Sequence, residues 1–207
     1  MVTETPIKLI LASASSRRAE ILRDAGYVFE VIPPRVDESR RDGETPEAYV
    51  CRLAQEKARA ASKGLAGPVT LIGADTVVVL AAEMLGKPQS ADDARRMLRG
   101  LSGQTHEVLT GLAVLRVPAD ERRKGPRRTE QVRVVSESTR VAFAALSERE
   151  IEEYIASGEA FDKAGAYAIQ GRAGRFITRI EGGYFNVVGL PLARLYQLLR
   201  ELDTGPA

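Results

Sequence analysis

The sequence predicts an α/β fold, a mixed sheet flanked by helices with two lobes around a cleft. Three observations point there. Residues 7–12, 69–80, 105–117 and 132–146 are runs rich in β-branched and large apolar side chains. Between and after them lie stretches of helical spacing, through Val50, Leu53, Ala54, Ala58 and Ala61 and through Leu192, Leu195, Leu198 and Leu199. The 207 residues are 44% hydrophobic and 28% charged, an ordinary globular balance with material for a core. No internal repeat or linker divides the chain, so residues 1–207 are expected to form one domain.

Composition also excludes. Thirty basic against 28 acidic residues leave a net charge of +2, which implies no whole-protein field for nucleic acid. Cys51 stands alone, so there is no internal disulfide framework, as suits a reducing compartment. His106 is the single histidine, which rules out sites needing two. No apolar run is long enough for a signal core or a bilayer span, and a cytoplasmic protein without a membrane partner is expected.

Taken in order, residues 7–12 read as a buried strand, followed by serines and a short helix through Ile21, Leu22 and Ala25 that ends at Gly26. Arg17 and Arg18 fall in the first turn of that helix, where the macrodipole disfavours cations. They fit if an anion fills the helix N-terminus, and helical phase turns Arg18 inward. The plainer reading is two solvated arginines. Residues 27–32 alternate as a second strand stopped by Pro33 and Pro34; Val36, Asp37, Glu38 and Ser39 then form a polar loop, whose acids would ordinarily be solvated.

Thr45 and Pro46 open a long helix. Lys57 lies at the centre of its apolar stripe, so it must snorkel, pair with a carboxylate or reach a bound anion. Cys51 beside that face reads as packing. The run Val69–Leu80 carries Asp75 between two strongly apolar halves. Burying a carboxylate there is costly unless it is paired, hydrogen-bonded or metal-bound; the alternative is a turn cap or bulge.

Ser90 and Asp93 resemble a capping box, Thr105–Val117 a strand, and residues 118–131 a solvated hairpin loop without aromatics among its cations. Residues 132–146 return as strand, and Ser147 with Glu150 caps another helix. Residues 164–170 look strand-like, as do both flanks of the Gly171/Gly174 pair, which argues against an RNA-clamping GxxG loop. Gln170 either reads a base edge through its amide or stabilises the turn. Gly182 and Gly183 make a turn, residues 184–188 a strand, and Pro191 opens the closing helix.

The pieces LASASSRR (11–18), VDES (36–39), LAQEKA (53–58), GADTVV (73–78), LGKP (85–88), LSGQTHEVLT (101–110), DKAGAYAIQG (162–171) and VVGLPL (187–192) together resemble the Maf family of nucleoside triphosphate pyrophosphatases. Ser16 departs from it, standing where the family usually has proline. The resemblance implies an elongated fold similar to the inosine triphosphate pyrophosphatases (the Maf/Ham fold), a homodimer, and a divalent cation, Mg²⁺ or Mn²⁺ with Co²⁺ also open. It assigns Asp75 as proton acceptor. Ser13, Arg17, Arg18, Glu38, Lys57 and Lys87 match phosphate- and metal-handling positions, with Glu38 and Asp75 as the metal ligands. Arg17, Thr76 and Gln170 match positions linked to substrate choice. The wording AYAIQG resembles the subfamily acting on dTTP and UTP, whereas its sister, acting on 7-methyl-GTP, usually has an acid where Gln170 stands. The expected reaction yields a monophosphate and pyrophosphate. A modified-purine pyrophosphatase, or a nucleotide-binding regulator of cell division with little catalysis, are the alternatives.

Overall fold

In a computed structural model, residues 8–65, 67–118 and 130–204 are described. Seven strands form one sheet: β1 (Lys8–Ala12), β2 (Glu30–Val31), β3 (Val69–Leu80), β4 (Glu83–Leu85), β5 (Thr105–Val117), β6 (Gln131–Phe143) and β7 (Ile177–Glu181). The order is β2-β1-β3-β5-β6-β7, with β4 paired to the far end of β3. β1 runs parallel to both β2 and β3 and every other pairing is antiparallel, so the sheet is mixed as expected. Among the described residues six α-helices flank it: α1 (Ser16–Asp24), α2 (Pro46–Ser62), α3 (Ala91–Leu101), α4 (Glu148–Ala156), α5 (Tyr184–Val188) and α6 (Leu192–Thr204).

Strand alternation divides the core. Leu71, Ile10 and Ala113 pack on Ala54 and Ala58 of α2. Leu11, Ile72 and Leu112 turn the other way, onto Leu22 of α1 and Leu195 and Leu198 of α6. Where the sheet runs on past β1, Val78, Val108 and Val141 join Leu98 of α3 and Tyr154 of α4 in a third cluster. Two glycines set the distance of α2. A Cβ on Gly73 would stand 2.1 Å from the Ala54 carbonyl oxygen, and one on Gly111 2.1 Å from that of Val50. Only glycine lets helix backbone lie this close to a strand.

The sheet is interrupted at its middle. β1 stops at the pairing Ala12–Gly73, and β4 begins only at Val78–Leu85. The β3 edge from residue 74 to 77 therefore has no neighbouring strand on that side, and side chains from both faces of β3 are reachable through the gap.

Several local expectations need correction. Of residues 27–32 only Glu30–Val31 pair as a strand, because the neighbouring β1 offers a short edge. Residues 184–188 form the helical turn α5 rather than a strand: β6 already has β7 as its outer partner, and Gly182 and Gly189 at φ 126° and 120° turn the chain at either end. Residues 164–170 are not a strand either. They begin as a short 3₁₀ turn (Ala164–Ala166) in which Gly165 and Ala166 take positive φ, with Gly165 pressed on Val78. After Gly171 the chain forms another 3₁₀ turn, Arg172–Phe176, so the glycine pair is not flanked by strands. Most of the expected 118–131 loop lies outside the described residues. None of the described helices is long and apolar enough to cross a membrane.

Candidate functional site

A cleft of about 770 Å³ opens over the gap in the sheet. Ser13, Arg17, Arg18, Glu38, Lys57, Asp75, Thr76, Lys87 and Gln170, the residues singled out in the sequence, all line it. They reach it from opposite faces of β3.

On the α2 face, Lys57 Nζ lies 2.6 Å from Asp75 Oδ1 and 2.7 Å from Glu38 Oε1. The close seat of α2 brings the buried lysine down to the buried carboxylate, and the loop before α2 supplies the exposed one. That loop is tied in place. Tyr49 Oη donates to the Glu38 carbonyl (2.9 Å), while Arg52 donates to the Ser39 carbonyl (3.0 Å) and holds the Glu44 carboxylate at 2.6 Å. Burial raises the Glu38 carboxyl, but Lys57, Lys87 and Arg18 together outweigh it and hold it below its ordinary value. Its neighbour Asp37 turns away to the Ser39 N–H.

On the other face Arg18 is buried and spent on neutral acceptors. Its Nε donates to the Gly189 carbonyl (2.7 Å), Nη1 to the Ala74 carbonyl (2.9 Å) and Ser13 Oγ (3.2 Å), and Nη2 to Thr76 Oγ1 (3.0 Å). The inward turn expected of Arg18 is present. Its partners are carbonyl and hydroxyl oxygens that join α1, β3 and the turn after α5.

The first turn of α1 is open. Thr45, Ser90 and Ser147 each accept a backbone N–H at the start of α2, α3 and α4, but Ser15 makes no side-chain capping bond to α1. No acid lies in that turn, and Ser15, Ser16 and Arg17 face the cleft. Unsatisfied N–H groups beside an arginine form a seat for an anion. Lys87 and Gln170 stand exposed at the rim. Gln170 precedes a turn in which the Glu159 carboxylate accepts the Arg172 N–H (2.9 Å).

Glu38 and Asp75 converge on one ammonium, so their oxygens also suit a hard cation. Among the described residues no group of three His, Cys, Asp or Glu gathers for a metal. An ion here would complete its shell with water and ligand oxygens.

The sequence reading missed Tyr49, Gln89, Asp162 and Lys163, all of which line the cleft. Lys163 is paired with Asp162, and Arg17 helps hold the Asp162 carboxyl below its ordinary value against the opposing effect of burial. Asp162 and Lys163 open the DKAGAYAIQG piece without having been given a role of their own, and no pattern distinguishes Tyr49 and Gln89 from surface polar residues. Gly73 and Gly111 did carry a signal, as isolated glycines within apolar strands.

The family model described as Maf-like protein matches residues 8–202. A dTTP/UTP pyrophosphatase of Koribacter versatilis (strain Ellin345) is 50% identical over 193 residues, covering 93% of each chain. One from Anaeromyxobacter sp. (strain Fw109-5) is 52% identical over 193 residues, 93% of this chain and 88% of that one. One from Syntrophus aciditrophicus (strain SB) is 46% identical over 204 residues, 99% and 93%. Among solved structures, the Staphylococcus aureus Ham1 protein aligns over 94% of this chain and 100% of its own, with 15% identity and a TM-score of 0.48.

Proposed function

Taking as premise that this chain belongs to the Maf family, we propose that it hydrolyses dTTP and UTP to the monophosphate and pyrophosphate. The observation that carries the reading is a carboxylate, Asp75, set in apolar β-structure within a cleft that also holds Arg17, Lys57 and Lys87. A triphosphate brings several negative charges, and phosphoryl transfer depends chiefly on positioning and on stabilising charge at the leaving group. The open turn of α1 with Arg17 takes phosphate oxygens, and Lys87 closes from the rim. Lys57 offsets charge at the scissile α–β bond. Asp75 orients the attacking water and accepts its proton.

Glu38 and Asp75 would hold Mg²⁺, Mn²⁺ or Co²⁺, which when bound would neutralise phosphate charge and acidify a coordinated water. Arg18 holds Ser13, Thr76 and the Gly189 turn in place around the nucleotide. Gln170 offers the base an amide with both a donor and an acceptor. The same membership supports a single domain acting as a homodimer in the cytoplasm.

The test is a screen of common and modified nucleoside triphosphates, 7-methyl-GTP included, with each of these metals, reading pyrophosphate and monophosphate. dTTP and UTP at the head of the ranking support the proposal. Release of orthophosphate, a purine at the head, or nucleotide binding without turnover would overturn it.

A further inference from the structure

Thr76 is the one neutral hydroxyl of β3 within the gap, and its proton has a definite destination. Thr110 Oγ1, fully buried on β5, lies 3.1 Å from the Asn186 carbonyl oxygen. A carbonyl only accepts, so the single Thr110 proton points at Asn186. Thr76 Oγ1 is 3.0 Å from Thr110 Oγ1, and that contact is therefore a bond donated by Thr76. Arg18 Nη2 donates into Thr76 from the other side at 3.0 Å. The order Arg18 → Thr76 → Thr110 → Asn186 leaves Thr76 one free lone pair and no free proton. The far end of the chain is fixed, because buried Asn186 Nδ2 donates to the Val108 carbonyl (3.0 Å) and to Thr139 Oγ1 (2.9 Å).

An acceptor without a proton has nothing to give a phosphate oxygen, which is itself only an acceptor at neutral pH. In a uracil or thymine nucleoside triphosphate the donors are the sugar hydroxyls and the ring N3–H, whereas cytosine carries a 4-amino donor beside a lone pair at N3. Surroundings favour the ring. A Cβ built on Gly189 would come within 3.4 Å of Thr76 Oγ1, and Val187 and Val188 continue that wall of the cleft. An apolar wall suits the face of a base better than a charged chain.

We propose that Thr110 is a positioning residue for base choice: it takes the Thr76 proton, so that Thr76 meets the base as an acceptor for the N3–H of uracil or thymine. This rests on the nucleotide reading above and extends it. Cytosine presents a lone pair at that ring position, so two acceptors would face each other across a desolvated contact.

The experiment compares kcat/KM for UTP, CTP and 3-methyl-UTP in the full chain and in Thr110→Val and Thr110→Ser. Valine keeps the shape and deletes the acceptor; serine restores it. The unaltered protein should prefer UTP over both analogues by about tenfold or more. Thr110→Val frees the Thr76 proton and should shrink the UTP:CTP ratio about fivefold or more, with Thr110→Ser returning it. Partial misfolding lowers both substrates alike and leaves the ratio untouched. A ratio unchanged in Thr110→Val, or 3-methyl-UTP turned over as well as UTP, overturns the inference, the latter by assigning Thr76 to a sugar hydroxyl. If the unaltered protein hydrolyses no nucleoside triphosphate, the nucleotide reading itself falls and this inference with it.

Discussion

Lys57 and Arg18 are both cations buried beside β3, yet the two faces of the strand treat them differently. Lys57 sits between two carboxylates, Asp75 and Glu38, one buried and one exposed. Arg18 meets carbonyls and hydroxyls from three parts of the chain. A pointlike ammonium on a flexible stem can yield one carboxylate to a ligand and keep the other. A guanidinium whose fork is filled by main-chain carbonyls cannot move without leaving them unsatisfied. The α2 face can thus exchange partners without stranding a main-chain carbonyl, and the α1 face holds shape.

The largest effect should come from the α2 face. Asp75→Asn keeps size and polarity but removes the proposed base, and should cut turnover by about 10³-fold or more, on the order of 4 kcal/mol in the barrier. Binding of the intact triphosphate, read by calorimetry, should largely survive. Undiminished pyrophosphate release would take Asp75 out of the chemistry.

The two cations can then be set against each other. Arg18→Met strands buried carbonyls of Ala74 and Gly189 and should cost about 3 kcal/mol of folding stability. Lys57→Met leaves two carboxylates facing each other, so its thermal midpoint should rise more on adding Mg²⁺ than that of the unaltered chain. Melting curves with and without the metal decide both. If Arg18→Met melts normally, or the metal response of Lys57→Met is no larger, the contrast between the faces fails.

What the sequence made legible follows the same division. Asp75, Lys57 and Arg18 stood out because each is a charge inside an apolar pattern, where burial must be compensated. Thr110 and Asn186 did not, since a neutral polar residue in a strand-like run carries no such penalty signal. The long strands were readable from apolar runs, but neither their order in the sheet nor α5 was. Tyr184, Phe185, Val187 and Val188 have strand propensity, which the glycine turns and the filled edge of β6 override. Read from its neighbours alone Glu38 was a loop acid, singled out only by the family resemblance, and Tyr49 and Arg52 are what fix that loop over the cleft.

A third buried titratable group extends the contrast to one with no counter-ion. His106 bonds Tyr167 Oη through Nε2 at 2.7 Å and packs edge-on to Phe143. Burial pushes its pKa from 6.5 down to about 4. The unfolded chain therefore gains a proton near pH 6.5, whereas the fold resists until about 4. Stability should fall as pH drops through that window, by up to about 3 kcal/mol. The lowered Glu38 carboxyl adds its own loss at still more acidic pH, as it too is protonated. Urea melts across the window should show the slope, and His106→Phe should flatten it at some cost in neutral stability. An equal slope in that variant would remove His106 as the cause.

The smallest effect belongs to the rim, where neither face holds the side chain. Gln170 is exposed and follows the turn from Ala164 to Ala166 that carries Tyr167 into the cleft. Gln170→Glu removes the amide donor and adds a negative charge near a substrate already rich in it. Solvent screens the charge, so the loss should be about 1 kcal/mol, several-fold in kcat/KM for dTTP and UTP. On the proposed role it should fall mainly on KM, because an exposed rim residue would touch the base equally before and during the reaction. Purine triphosphates, if turned over at all, should lose less, since the donor pattern of their ring edge differs. A uniform loss across all bases would reduce Gln170 to an electrostatic bystander and leave base choice to the buried hydroxyl chain.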